Sequence, residues 1–232
     1  MHRSRRNSLG GLVVRRFVIM LAVLGVSVLT PFPAQAATTV ALWHMDDLGS
    51  TMADSSGNQL NGALKNVRTG LPGVQGTAFQ FQGTPSVVSV PNNAKLNPGP
   101  GTFTATVRVK FSAPPTSAVG DYDLIRKGLS GTPGGHWKME IRQSGKAYCY
   151  FKGSAGRLVL SAGPNLANNA WHTITCQRAG DQVRLTVDGA VYTKTGPAGT
   201  IANSSVTFVG AKGLSGGDQY TGLMDEVSLS VG

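Results

Sequence analysis

Residues Phe103–Phe111 read FTATVRVKF, and this stretch decides the fold class of the chain. Apolar side chains occupy every second position, while threonine, arginine and lysine occupy the positions between them. The alternation is typical of a β-strand with one buried and one wet face, because successive side chains of a strand point to opposite sides. The same period of two recurs at His136–Arg142 and Gln182–Asp188. Beyond the first 36 residues, no stretch of helical length carries the apolar stripe of an amphipathic helix.

Ten further runs are predicted to be strands as well. They are Val40–Met45, Thr77–Gln82, Ser86–Pro91, Tyr122–Lys127, Ala147–Lys152, Arg157–Ala162, Trp171–Arg178, Val191–Lys194, Val206–Ala211 and Gln219–Ser230. The 31 glycines and 12 prolines exclude a helical bundle, and a hydrophobic fraction of 41% excludes wholesale disorder. Asp188-Gly189 predicts a type I′ hairpin turn. Many short strands, without helices for parallel crossovers, predict an all-β sandwich of two antiparallel sheets in one domain.

The first 36 residues have the pattern of an export signal. Arginines precede the apolar run Phe17–Leu29, prolines follow it, and Ala34-Gln35-Ala36 forms a small-x-small cleavage site. The run is too short to span a bilayer, which takes about 20 residues. We therefore expect residues 1–36 to be a signal peptide cleaved near Ala36, and residues 37–232 to be one secreted domain without a membrane span. An uncleaved amino-terminal anchor is the alternative, and Arg15-Arg16 leave general secretory and twin-arginine export both open.

The formal net charge of +10 is unevenly placed along the chain. Half of it comes from five arginines of the leader, which are Arg3, Arg5, Arg6, Arg15 and Arg16. Residues 37–232 are only mildly basic, and their sequence has no cluster of positive charge on one helix or face. This argues against a nucleic-acid partner.

Cys149 and Cys176 are the two cysteines of the chain. In an oxidising compartment an even pair predicts one disulfide. Cys149 shares its strand face with apolar Ala147 and Phe151, and Cys176 shares its face with Ile174, so both thiols should point inward. We expect a buried bridge between neighbouring strands, with a pair of buried free thiols as the alternative.

Three motifs in the second half of the chain resemble a known family. They are WHTITC at Trp171–Cys176, VRLTVDG at Val183–Gly189 and GLMDEV at Gly222–Val227. In this order they look like the signature of laminin G-like (LamG) domains, which belong to the concanavalin A-like lectin/glucanase superfamily. The resemblance runs from about Ala41 to Leu229 and implies a jelly roll of two antiparallel sheets.

The first half of the chain adds weaker parts of the same resemblance. WHMDD at Trp43–Asp47 and ADSSGN at Ala53–Asn58 are similar to the opening of bacterial LamG modules. Phe79–Gly83 lies where those modules carry a run like FDG, but Gln82 replaces the acid.

The superfamily that the chain resembles includes enzymes, so a catalytic pattern among its acids would indicate an activity. Glucanases of this superfamily place paired carboxylates on alternate residues of one strand, in the form E-x-D-x-(x)-E, so that both flank one glycosidic bond. No predicted strand has this pattern, and Asp121-Tyr122-Asp123 is the nearest spacing. No G-x-S-x-G motif supports serine chemistry. We expect no catalytic residues and no enzymatic activity. This expectation would fail if two carboxyl groups faced each other in a groove.

Calcium is the cofactor that the acids favour. In related jelly rolls a structural calcium ties the first strand to the last, and calcium prefers carboxylate and carbonyl oxygens. The predicted ligands are Asp46 or Asp47, Asp54 and Asp225. The alternative is that Asp54 forms an Asx-turn over the loop that follows it, with Asp225 facing water.

Carbohydrate recognition requires exposed aromatic rings with polar partners for sugar hydroxyls. Tyr148 and Tyr150 alternate with buried residues, so they should face outward, as should His136. The alternative is that these aromatic side chains pack against side chains of neighbouring strands on a solvent-exposed sheet face. Basic residues at outward positions would form one positive sheet face if their strands are neighbours; they are Arg108, Lys110, Lys138, Arg142, Lys152 and Arg184.

These observations favour a secreted, non-catalytic binding or adhesion module. The expected partner is an extracellular polysaccharide or a surface protein. A polysaccharide-active enzyme of the same superfamily and a structural subunit of a surface assembly are the alternatives.

Overall fold

The computed structural model of the protein describes Met1, residues 37–83 and residues 85–232. Apart from Met1, the predicted signal peptide at 1–36 lies outside the described residues, so cleavage near Ala36 stays a prediction. Among the residues that are described, no helix is long and apolar enough to cross a lipid bilayer.

Sixteen β-strands and one 3₁₀ turn, Ala94–Leu96, form the secondary structure of the described residues. The strands are β1 (Thr38–Trp43), β2 (Thr51–Met52), β3 (Gly62–Lys65), β4 (Val67–Pro72), β5 (Thr77–Phe81), β6 (Val87–Val90), β7 (Phe103–Lys110), β8 (Tyr122–Lys127), β9 (His136–Ile141), β10 (Ala147–Gly153), β11 (Gly156–Ala162), β12 (Trp171–Ala179), β13 (Gln182–Val187), β14 (Ala190–Thr195), β15 (Thr207–Val209) and β16 (Gly222–Val231). All thirteen predicted strands are present. The sequence patterns missed β2, β3 and β4, which lie at or beside sheet edges and need few apolar residues because part of their surface stays wet.

Two eight-stranded antiparallel sheets make up the sandwich. Sheet A has the order β14-β13-β12-β7-β16-β5-β4, and β1 pairs with β16 beside β5. Sheet B has the order β11-β10-β9-β8-β15-β6-β3-β2. The predicted all-β jelly roll is confirmed, as is the hairpin at Asp188-Gly189, where both residues have positive φ.

The core lies between the two sheets and follows the period of two. Phe103 of β7 packs against Trp137 of β9 with 4.7 Å between ring centroids, and its ring lies 6.3 Å from that of Phe151. All three side chains are almost fully buried. The alternation that defined the strands therefore sets which side chains fill the space between the layers.

The predicted disulfide is present and joins the two sheets. Cys149 lies on β10 in sheet B, Cys176 lies on β12 in sheet A, and their Cα atoms are 5.6 Å apart. The expectation of a bridge between neighbouring strands is wrong in this respect, because side chains that point inward from one sheet meet those of the opposite sheet. The bond therefore crosses the core.

The first and last strands lie side by side. Thr38 at the start of β1 is paired with Val231 at the end of β16, and the ladder continues to Trp43 and Val227. Both ends of residues 37–232 therefore meet in sheet A.

Candidate functional site

The outer face of sheet B collects charged side chains because of a bulge in β8. The register of β8 against β9 shifts between Asp123 and Ile125. The extra residue turns Asp123 and Arg126 to the same side, although an unbroken strand would place residues three apart on opposite sides. Across the ladder, Asp123 is paired with Glu140, and Arg126 is paired with Lys138.

These four side chains form a buried ionic cluster. Arg126 Nη1 lies 2.5 Å from Asp123 Oδ2, and Lys138 Nζ is paired with Glu140 Oε1. The two acids have no exposed surface, and Arg126 is 3% exposed. Asp218, from the loop before β16, lies 3.9 Å from Arg126. Such burial is tolerable because each of the two buried acids lies beside a cation that binds it.

The expectation that no two carboxyl groups face each other is wrong. Oxygens of Asp123, Glu140 and Asp218 all lie within 4.8 Å of one another. The catalytic pattern places its acids on one strand, whereas these acids come from two neighbouring strands and a loop. Glu140 occupies an ordinary polar position of the alternating strand β9, so the sequence pattern did not distinguish it.

The two buried acids have raised pKa values. Burial raises the pKa of Asp123, and burial together with the negative charge of Asp123 raises the pKa of Glu140 to about 8. Asp123 Oδ1 and Glu140 Oε2 have no hydrogen-bond partner, and Arg142 Nη1 lies 3.7 Å from Glu140 Oε2.

The three acids are the one group of potential metal ligands in the described part of the chain. Their negative charge is already balanced, because Arg126 and Lys138 bind the two buried acids and Lys212 Nζ lies 3.4 Å from Asp218. A divalent cation here would have to displace or repel these cations. The donor set therefore fits an ion-pair network better than a metal centre.

The raised pKa of Glu140 predicts a pH-dependent stability that Glu140→Gln removes. In the folded protein the pKa of Glu140 is about 8, whereas in the unfolded chain its pKa is the ordinary value of 4.5. The folded state therefore binds one more proton than the unfolded state between these two pH values. The free energy of unfolding therefore falls with rising pH in this range. Between pH 6.5 and 8 we expect the free energy of unfolding of the wild type to fall by about 1–2 kcal/mol, and that of the variant to change less. This pH range lies above the titration of His136. Urea unfolding at several pH values measures the stability of both proteins, and parallel pH profiles would contradict the raised pKa of Glu140.

Beside the cluster lie the aromatic residues that the sequence singled out. The rings of His136 and Tyr150 are stacked, with centroids 4.7 Å apart and an interplanar angle of 20°. Tyr148 lies 6.1 Å from Tyr150 and is covered by the Arg142 guanidinium at 4.9 Å. The structure thus brings Tyr148, Tyr150 and His136 together on one outer face.

His136 is not exposed as predicted, since only 3% of it is accessible. Burial, aided by the positive charges of Arg126, Lys138 and Lys152, lowers its pKa to about 4. The imidazole is therefore neutral at physiological pH. Its Nδ1 has no hydrogen-bond partner, which leaves a polar atom of the site unsatisfied.

Three neighbouring cavities, which share lining residues, follow one another across the outer face of sheet B and are here called the groove. The first, of about 370 Å³, is lined by the ionic and aromatic residues, including Arg126, His136 and Tyr150. The second, of about 290 Å³, shares Arg126 with the first and Phe208 with the third. The third, of about 460 Å³, extends to Thr51 on β2. The groove therefore crosses the strands from β10 to β2, about 30 Å at the usual strand spacing.

The predicted calcium ligands each have their own hydrogen bonds. Asp54 accepts from the backbone N–H groups of Leu42, Ser56 and Leu60, which resembles the Asx-turn alternative and lowers its pKa despite partial burial. Asp46 accepts from Thr77.

The remaining two acids of that set are bound in the same way. Asp225, fully buried, accepts from the N–H groups of Val74 and Gln75, and Asp47 accepts from Ala53. Calcium at these residues stays a prediction, and the structure supplies backbone donors where the ion was expected.

The predicted positive face is divided between the two sheets. Arg108 and Lys110 lie on β7, and Arg184 on β13, all in sheet A. Lys138 lies on β9 and Lys152 on β10, both in sheet B. The basic residues therefore do not form one surface, because alternation within a strand does not reveal which sheet the strand joins.

Solved structures share this fold at low sequence identity. The binding domain of Paraclostridial Mosquitocidal Protein 1 aligns with a TM-score of 0.66 and 17% identity over 83% of this chain and 48% of that one. Domain 4 of AbnA, a GH43 extracellular arabinanase from Geobacillus stearothermophilus, in complex with arabinotriose, aligns with a TM-score of 0.66 and 16% identity over 84% of this chain and 93% of that one. Domains LG4-5 of mouse laminin α1 align with a TM-score of 0.50 and 17% identity, covering 66% and 40%. The chain thus spans about half of the mosquitocidal binding domain and nearly all of the arabinanase domain.

Sequence comparison gives the family. No curated protein matches the chain. A family model, Laminin_G_3, matches residues 82–230, which include the three motifs of the second half and most strands of both sheets. The chain therefore belongs to the Laminin_G_3 family of the concanavalin A-like lectin/glucanases superfamily.

Proposed function

We propose that the protein is an extracellular, non-catalytic module that binds a polysaccharide in the groove of sheet B. The observation that carries the proposal is a row of neighbouring cavities with stacked rings and buried charged groups at one end. Sugar rings pack on aromatic side chains, and their hydroxyl groups bind charged and polar partners. The disulfide and the family favour an oxidising, extracellular location. The arabinanase domain, of similar extent, was solved with arabinotriose, which supports the proposal by analogy.

Replacing Tyr150 by alanine is expected to weaken polysaccharide binding about tenfold, because the variant removes a ring that lines the groove. A glycan array identifies the ligand, and affinity gel electrophoresis measures the change. Tyr192→Ala is the matched control, since Tyr192 is also half-buried but lies on β14 of sheet A. Equal affinity of the two variants would place binding elsewhere. A blank array, with a protein partner recovered instead, would support the structural-subunit alternative.

A polysaccharide-active enzyme is the second candidate, and the facing carboxyl groups of Asp123 and Glu140 favour it. Retaining glycosidases place two carboxyl groups about 5 Å apart, on either side of the sugar. Here both acids lie beneath the cations that bind them and have no exposed surface, so a substrate cannot reach them without rearrangement. Hydrolysis and elimination assays on a polysaccharide panel decide the matter. We expect no turnover, and turnover that disappears in Glu140→Gln would establish the enzyme.

A further inference from the structure

The groove changes its chemical character along its length. At the β10 end its lining includes three cations, Arg126, Lys138 and Lys212, together with Asp218. At the β2 end no charged residue lines it. A polysaccharide of one repeated sugar without substituents would present the same groups to the charged and to the uncharged end. The change in lining therefore favours a ligand that has both polar and apolar groups.

The uncharged end, here called the apolar arm, is the 460 Å³ cavity and has exposed hydrophobic walls. Phe208 of β15 forms part of it, with Val206 and Leu214 at its sides. Leu214 is 50% exposed and Val206 is 36% exposed, and Leu129, at the middle of the groove, is 46% exposed. Three of the eight exposed large apolar side chains of the described residues thus border one groove. Clustering of this kind marks a binding surface, whereas scattered apolar residues do not.

The apolar arm is held in place and offers hydrogen-bond donors. Lys65 Nζ donates to the carbonyl of Leu214 and so fixes the loop at the side of the groove. Asn61 and Asn92 line the arm, and their side-chain oxygens accept bonds from Asp54 N and Lys127 Nζ. Each asparagine therefore has its amide N–H group left to offer to a ligand carbonyl.

The occupant is not an extended peptide. Peptides that bind sheets do so at an edge, where unpaired backbone groups continue the ladder. The groove lies over a face, and β9, β8, β15, β6 and β3 beneath it are each paired on both sides. A peptide backbone would lose its hydration there without gaining partners.

We propose that the groove selects a polysaccharide that carries O-acyl groups, with the sugar chain running along the cavities from the polar end and the ester of one of its sugars in the apolar arm. The inference rests on the proposed polysaccharide binding and adds the substituent. An acetyl ester is uncharged, its methyl group fits against Phe208 and Leu214, and its carbonyl accepts from an asparagine amide. The same polysaccharide without the ester presents a hydroxyl group to apolar walls, which costs binding energy.

A matched pair of ligands tests the inference. Naturally O-acetylated cell-wall polysaccharides are printed on an array, each untreated and after mild alkali, which removes the esters without changing the charge. We expect binding to the untreated forms and about tenfold weaker binding after alkali, from the loss of a buried methyl group and one hydrogen bond. Leu214→Ser should weaken binding to the untreated form and leave binding to the treated form almost unchanged. Val191→Ser, 53% exposed on β14 of sheet A, is the control and should match the wild type.

The outcomes separate this inference from the proposed function. Equal binding before and after alkali, with sensitivity to Tyr150→Ala, would overturn the preference for esters and keep polysaccharide binding. Leu214→Ser that behaves like the wild type on both forms would also overturn it, since thermal unfolding verifies that the exposed substitution leaves the fold intact. An array without any bound polysaccharide would refute both proposals.

Discussion

Replacing Arg126 by methionine is expected to lower the free energy of unfolding by about 3–5 kcal/mol. Methionine keeps most of the side-chain volume but removes the cation that binds Asp123, an acid with no exposed surface. Two facing carboxyl groups then remain with one fewer positive charge. The loss should be larger at pH 8 than at pH 5, because protonation of the acids relieves their repulsion. Urea unfolding at the two pH values measures both effects.

Two companion variants distinguish the buried pair from an ordinary ion pair. Arg142→Met removes a cation that lies 2.8 Å from Asp121 and 3.7 Å from Glu140 at the edge of the cluster, but Arg142 is 43% exposed and its loss should cost less than about 1 kcal/mol. Asp123→Asn combined with Arg126→Met removes both buried charges and should recover much of the loss. A loss in Arg126→Met no greater than in Arg142→Met would mean that the cluster does not carry the charges assigned to it.

Removing the disulfide has the second large effect. Replacing Cys149 and Cys176 together by alanine should lower the free energy of unfolding by about 3.5 kcal/mol, since the bond closes a loop with a sequence separation of 27 residues. The disulfide acts mainly by lowering the conformational entropy of the unfolded chain. The folded sandwich of the variant should therefore still form at low temperature. Thermal and urea unfolding measure the loss.

Chemical reduction of the wild type supplies the control for this variant. Reduced wild type keeps both sulfur atoms in the core, so it isolates the cross-link from the volume lost on replacement by alanine. We expect the reduced protein to be less stable than the oxidised form and the double variant to be slightly less stable still. A double variant that unfolds at the same urea concentration as the oxidised wild type would contradict a stabilising role.

Strand positions and the buried face were predictable because they depend on neighbours in the sequence. Alternation along Phe103–Phe111 identified β7, and the same rule placed both cysteines in the core. The turn at Asp188-Gly189 followed from the positive φ that a type I′ turn requires. Each of these features is local, so a single strand carries all the information needed.

The candidate site was mostly not predictable, since it depends on which strands become neighbours. Asp123 and Glu140 face each other only because β8 pairs with β9, and a bulge then adds Arg126 to the same face. Period-two reasoning assumes an unbroken strand and therefore assigns Asp123 and Arg126 to opposite sides. Loops complete the groove through Leu129 and Leu214, and no periodic pattern places a loop over a particular strand.

The adjacency of β1 and β16 determines how the protein can be attached without obstructing its groove. Thr38 and Val231 are paired in sheet A, whereas the groove lies on the far side of sheet B. A carrier or surface attached next to Thr38 or Val231 thus meets the sandwich through sheet A, the layer that does not form the groove. Joining the two ends with a short linker and opening the chain at an exposed turn such as Asp188-Gly189 should accordingly give a circular permutant that folds and keeps the same ligand preference.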